Sequence, residues 1–198
     1  FRNKRALFTG FAVFLIFFSL RSYYGSIAAN QNKLIVYSAN KSSVIQWVNG
    51  TNSIVLADSV FKADVSKQDF ILKRANTLMG IRESNFLPLL SNVDSLVQFS
   101  PFLSGFANFY LFNDKTVAII QKLPQAKGLS APLKVDYLIL SGRMFGHLAE
   151  ILPVYNPQQV ILDGNFPGSE LKKWISEGKQ AGIPVHSVKK DGAFIAEI

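Results

Sequence analysis

The chain has no cysteine among its 198 residues, which excludes disulfides and thiolate metal sites. It has only two histidines, His147 and His186, and no His-x-His or His-x-x-x-His spacing. A catalytic metal usually takes about three protein ligands, so the histidines alone cannot build such a site. Gly-x-Ser-x-Gly is missing, as is the Gly-rich loop ending in Lys-Ser/Thr that cradles nucleotide phosphates. No acidic residue precedes Asp58, and no internal repeat or low-complexity tract is present. Nucleophilic hydrolases, thiol redox enzymes and P-loop proteins therefore find none of their signature residues here.

The formal charge of +8 suggests nucleic acid or a membrane surface as a partner. Four of the basic residues, Arg2, Lys4, Arg5 and Arg21, flank one apolar run, and removing them leaves +4 from Asn30 onward. That run, Ala6 to Leu20, carries no charge. At about 1.5 Å per residue it falls short of a bilayer core roughly 30 Å thick, but its flanks extend it. Arg5 and Arg21 can snorkel, while Tyr23 and Tyr24 suit the interfacial belt. A transmembrane helix is the expected form; a signal peptide cleaved near Ala28-Ala29 and a buried core helix are the alternatives. Arg2, Lys4 and Arg5 outnumber Arg21 and Lys33, which puts the N-terminus in the cytoplasm and the following domain outside the inner membrane, on the periplasmic side. Phe1 is not an initiator residue, so further domains are expected upstream.

Two units are expected, residues 1–32 as transmembrane helix and short linker and residues 33–198 as a domain. Ser22 to Asn32 is small and polar, the composition of a linker. Leu34 to Tyr37, Ser43 to Val48 and Ser53 to Ala57 read as strands of a meander, with an Asn49-Gly50 turn. Asp64 or Ser66 can cap a helix reaching Met79, with Phe70, Ile71, Arg74 and Leu78 at three- and four-residue steps. Strands follow at Leu96 to Phe99, Phe109 to Phe112 and Thr116 to Ile120, with loops at Pro101 to Gly105 and Lys122 to Pro132. The last third alternates: strand Val135 to Leu140, helix Arg143 to Leu152, strand Val160 to Gly164, helix Gly168 to Ala181, then strands Val185 to Val188 and Ala193 to Ala196. A meander followed by β-α-β alternation predicts an α/β sandwich with helices on its outer faces.

The order of elements from Val135 to Phe194 resembles the end of the metallo-β-lactamase-like domain at the C-terminus of ComEC-type competence proteins. The opening meander is similar too, although the Asp-Val-Gly-Gln-Gly-Asp-Ala signature of that family is here Ser38-Ala39-Asn40-Lys41-Ser42-Ser43. The resemblance implies a reduced metallo-β-lactamase-like αββα sandwich preceded by one transmembrane helix. Active members carry a metal-binding histidine in the loop that is here Ser141-Gly142-Arg143, and a His-x-His-x-Asp-His motif after the third strand. Residues 59 to 134 contain no histidine. The resemblance therefore implies a domain without catalytic, cofactor-binding or metal-ligating residues. It also implies a role in DNA uptake across the inner membrane, guiding or contacting single- or double-stranded DNA or stabilising the channel. Partners would be the membrane, that DNA and the domains upstream of Phe1. A residual metal-dependent phosphodiesterase or nuclease, and an unrelated membrane-anchored binding domain, are the competing readings.

A few polar residues bear on that choice. Asp58 closes a strand and Asp163 precedes Gly164, both positions where Asp commonly shapes a turn or caps a helix. His147 is expected on a helix surface and His186 inside a strand, and Asp136 and Tyr137 open a strand as structural residues. The Ser141-Gly142-Arg143 loop, placed between strand and helix, could offer backbone N–H groups to an anion. The 17 phenylalanines divide between the membrane run and the strands, as expected for bilayer and core rather than base stacking.

Overall fold

The computed structural model describes residues 4–89, 96–124 and 131–198. One helix, α1 (Lys4–Asn30), leads directly into β1 (Asn32–Val36). Residues 22–30 are thus helical instead of a linker. Arg2 and residues 125–130 of the expected Lys122 to Pro132 loop lie outside the described residues. The 24-residue span Leu7–Asn30 has no part of its most apolar window buried, so α1 is not a core helix of the domain. At about 1.5 Å per residue its length suffices to cross a bilayer.

Two mixed sheets make the body. One has the order β12-β1-β2-β3-β4 and includes β2 (Val44–Asn49), β3 (Asn52–Ala57), β4 (Glu83–Pro88) and β12 (Phe194–Glu197). The other has the order β11-β10-β9-β8-β7-β6-β5. Its antiparallel half is β5 (Val97–Ser100), β6 (Leu103–Phe106), β7 (Phe109–Phe112) and β8 (Lys115–Ile120). Its parallel half continues from β8 through β9 (Leu133–Leu140), β10 (Tyr155–Leu162) and β11 (Val185–Ser187).

The central strands bury both faces, which is why they read as nearly continuous apolar runs. Alternation decides which layer each side chain enters. Leu34 and Val36 of β1, Ile45 and Trp47 of β2, and Ile54 and Leu56 of β3 point between the sheets. There they meet Tyr110, Phe112, Val117, Ile119, Ile139 and Ile161 of the second sheet. Their strand neighbours Ile35, Val44, Val48 and Val55 point outward under Phe61 and Leu72 of the helical segment. On the opposite outer face, Leu138, Leu140, Val160 and Leu162 pack under Leu148, Ile151 and Trp174. Helix, sheet, sheet, helix is therefore the layer order, an α/β sandwich as expected. Each fully buried Leu, Ile or Val contributes about 1.5–3 kcal/mol through removal from water.

Pro157 lies inside β10 without disrupting it. It pairs with Val135 of β9, whereas β11 joins the other side of β10 only from Val160 onward. The missing proline N–H thus falls on a stretch of open edge.

Several sequence expectations are corrected. The helical segment is α2 (Ser59–Ala63), α3 (Val65–Gln68), a π-helical turn (Asp69–Lys73) and α4 (Arg74–Met79). The wide turn rotates the helix face, so Leu72 is buried while Phe70 and Leu78 are exposed, at 77% and 80%. Arg143 to Leu152 is no helix. Only a 3₁₀ turn, Leu148–Glu150, forms there. Gly146 has φ 145°, and a Cβ on it would stand 2.5 Å from Leu123 Cδ1. Met144, Leu148 and Ile151 are nevertheless buried, so the helix-like spacing marked a core face without a helix. The Pro101 to Gly105 loop is largely strand β6, β4 was not expected, and a short helix, α6 (Val188–Asp191), interrupts the last two strands.

Candidate functional site at the strand ends

The C-terminal ends of β3, β9 and β10 meet the loop between β1 and β2. In an α/β sandwich this rim is where a site would be built. Asp58, directly after β3, uses both carboxylate oxygens locally. Oδ1 accepts from the Phe61 N–H at 2.8 Å, capping α2, and Oδ2 accepts from the Ser43 N–H at 2.8 Å. The Asp58 N–H in turn donates to the Ser43 carbonyl at 3.2 Å, closing the loop against the strand end.

Asp163, directly after β10, is fully buried. Its Oδ1 accepts from the N–H groups of Asn165 at 2.9 Å and Phe166 at 3.1 Å, and so forms the turn. Oδ2 receives no hydrogen bond of good geometry from the described residues. Burial pushes the carboxyl up to about 6, against the Ser43 and Ser141 hydroxyls and the Asn165 and Phe166 amides, which favour the ionised form. The Ser42 hydroxyl is likewise buried without a partner among the described residues.

Gly164 explains why this rim is closed. A Cβ there would stand 2.1 Å from the Ala39 carbonyl oxygen and 2.5 Å from that of Ser42. The β1–β2 loop therefore lies directly on the turn after β10. Ala39, Ser42, Ser43, Ser141 and Asp163 are all at most 1% exposed. The β1–β2 loop closes over this end, and the polar groups are buried beneath it.

The structure thus gathers Asp58, Ser42, Ser43, Ser141 and Asp163 at one place and leaves both histidines elsewhere. His147 is exposed, and its Nδ1 lies 2.6 Å from Glu177 Oε1 on the outer helix, α5 (Leu171–Ala181). Burial tends to raise the Glu177 pKa, but the Leu148 N–H at 2.7 Å and the His147 ring outweigh it and hold the carboxyl below its usual value. His186 Nε2 lies 3.0 Å from the Gly192 carbonyl, with its ring edge-on to Phe194. No group of three His, Asp or Glu side chains among the described residues could hold a metal ion.

The Ser141 loop is not the strand-to-helix turn expected. No helix follows it; the Ser141 N–H donates to the Ile120 carbonyl and the Met144 N–H to that of Gly142. Asp136 accepts from Lys115 Nζ at 3.0 Å and the Thr116 N–H at 2.9 Å, a structural clasp between β8 and β9. Tyr137 packs against Phe194.

One polar network escaped the sequence reading. Gln46, fully buried in β2, accepts from the Tyr37 hydroxyl at 2.6 Å and donates to Ser53 Oγ at 2.9 Å and Asn76 Oδ1 at 2.8 Å. Ser53 continues to Ser84 Oγ at 2.9 Å. This chain ties α4 and β4 to the sheet. Its signal in the sequence is a lone amide between Ile45 and Trp47, at a strand position that ought to be apolar.

The model of the ComEC C-terminal domain family matches residues 34–198. The chain belongs to that family. No curated protein and no solved structure gives a significant match. Membership in the ComEC C-terminal domain family associates the chain with competence, with DNA uptake and with a membrane, and α1 is long and apolar enough to be a transmembrane helix.

Proposed function

We propose that this ComEC C-terminal domain is a non-catalytic extracytoplasmic module of an inner-membrane DNA-uptake protein, with a reduced metallo-β-lactamase-like sandwich held to the membrane by α1. It guides or contacts DNA, or stabilises the channel, without cutting the strand. The observation that carries this reading is the sealed rim. A phosphodiester needs an open cleft with charged groups turned towards it, and here Asp163 is fully buried and Gly164 abuts the Ala39 and Ser42 carbonyls. Asp58 is spent on capping. The greater positive charge before the Ala6 to Leu20 run (Arg2, Lys4, Arg5) than just after it (Arg21, Lys33) supports a periplasmic position.

Purified full chain in detergent should carry no stoichiometric zinc or manganese and should not hydrolyse single- or double-stranded DNA in their presence. Stoichiometric metal together with hydrolysis, both abolished by His147→Ala, overturns the reading. If DNA is contacted, log affinity for a single strand should fall linearly with log salt, with a slope of about 0.7 per neutralised phosphate. Undetectable binding at low salt leaves the channel-stabilising role alone.

A further inference from the structure

The two turns nearest the start of the domain are fixed to the end of α1. A Cβ on Gly50 would stand 2.9 Å from the Ala29 carbonyl oxygen, and one on Gly80 3.0 Å from Ala28 Cβ. Gln31 Nε2 locks the arrangement by donating to the Met79 carbonyl at 2.7 Å and the Gly50 carbonyl at 3.0 Å. The end of α4 therefore has a set height on the membrane helix.

That height can be counted. About 20 residues of helix fill a hydrocarbon core roughly 30 Å thick. Counted from Leu7, the core ends near Ser26 for an upright helix, with Tyr23 and Tyr24 within about 5 Å of that boundary, close enough for their hydroxyls to reach the interfacial belt. Ala28 and Ala29 then lie about 3–5 Å further out, inside the headgroup layer. Leu78, two residues before Gly80, is the most exposed large apolar side chain among the described residues of the domain, at 80%. Arg74 stands one helical turn from it on the same face of α4. Arg82, whose N–H donates to the Thr51 carbonyl, is held beside the Gly50 turn. Both arginines are exposed, and neither forms an ion pair with the described residues.

We propose that the α4 end is a membrane-docking surface: Leu78 inserts into the interface beside α1, while Arg74 and Arg82 bind phosphates of anionic phospholipid headgroups. An exposed leucine with exposed arginines four residues to either side in sequence, at headgroup depth, has a matching solvent for each, acyl carbon for the leucine and phosphate for the arginines. Docking there limits how far α1 and the domain, held together by these contacts, can tilt relative to the bilayer. The inference rests on α1 crossing the membrane.

The test uses the full chain in vesicles with tryptophan placed at three positions. Trp47 and Trp174 are fully buried and give a constant background. Leu78→Trp should be quenched by phospholipid brominated near the headgroup end of its chains, to at least half the extent of Tyr24→Trp. Phe145→Trp, on the far outer layer, serves as the unquenched reference. In vesicles with about a third phosphatidylglycerol, adding Arg74→Gln and Arg82→Gln should lower Leu78→Trp quenching to the level in pure phosphatidylcholine. Quenching at Tyr24→Trp with none at Leu78→Trp overturns the docking surface but leaves the membrane anchor. A blue-shifted but unquenched Leu78→Trp means that protein covers the residue, and likewise overturns it. No quenching at either position removes the anchor as well. Quenching unchanged by the arginine substitutions overturns the phosphate contacts.

Discussion

The buried carboxyl of Asp163 gives the sharpest quantitative expectation. Burial raises it from an ordinary 3.8 to about 6. Below pH 3.8 the group is protonated in both folded and unfolded chains and contributes no difference. Between about 4 and 6 the unfolded chain ionises first, so stability falls as pH rises. Above 6 the full penalty applies, on the order of 3 kcal/mol for a shift of about two units. Asp163→Asn removes the charge and keeps the Oδ1 acceptor for the Asn165 and Phe166 amides, and its new NH₂ lies near hydroxyls that can accept. The variant should match the native chain near pH 4 and exceed it at pH 8 by up to about 3 kcal/mol, less whatever the charge-assisted bonds to the turn contribute. Urea denaturation of the full chain in detergent at several pH values, followed by the fluorescence of the buried Trp47 and Trp174, measures the difference. An Asp163→Asn chain that loses stability relative to native as pH rises would refute the reasoning, because it would mean that the carboxylate is favoured in its charged form. A cation held there would act in that way, so the measurement also bears on the enzymatic alternative.

Gly164→Ala places a methyl group into the Ala39 and Ser42 carbonyls and should cost at least about 2 kcal/mol, whereas Gly168→Ala, with open space around it, should stay within about 0.5 kcal/mol. The same denaturation curves distinguish them, and equal costs would mean that the rim is not closed as described. Gln46→Leu orphans the Tyr37 hydroxyl and breaks the links to Ser53 and Asn76, for a loss of about 2–3 kcal/mol. Adding Tyr37→Phe should recover about 1 kcal/mol, and strict additivity of the two changes would contradict the network.

Much of the fold could be read from the sequence because local rules and tertiary demands agreed. The meander, with its Asn49-Gly50 turn, and the helix stopping at Gly182 are cases where turn chemistry and apolar pattern coincide. Where the reading failed, the cause was not local. The spacing of Met144, Leu148 and Ile151 imitates a helix, but it arises because a non-helical segment presses one side onto the sheet, with Gly146 in a backbone region that a helix forbids. The exposed Phe70 and Leu78 follow from one π-helical turn, a shift of register that composition does not announce.

The sequence by itself determined what chemistry the chain is without. Absence of cysteine, scarcity of histidine and the uncharged Ala6 to Leu20 run are properties of composition, and no folding can add a ligand that is not encoded. Only the tertiary structure decided what became of the polar residues left behind. Asp58 and Asp163 are distant in sequence, and their roles depend on the β1–β2 loop settling against the turn at Gly164, a contact between two sheets. Burial is a property of that contact, since it removes water from Asp163 on all sides at once. The same holds at the other end of β3, where Gly50 and Gly80 abut Ala29 and Ala28 and thereby fix the end of α4 against the end of α1.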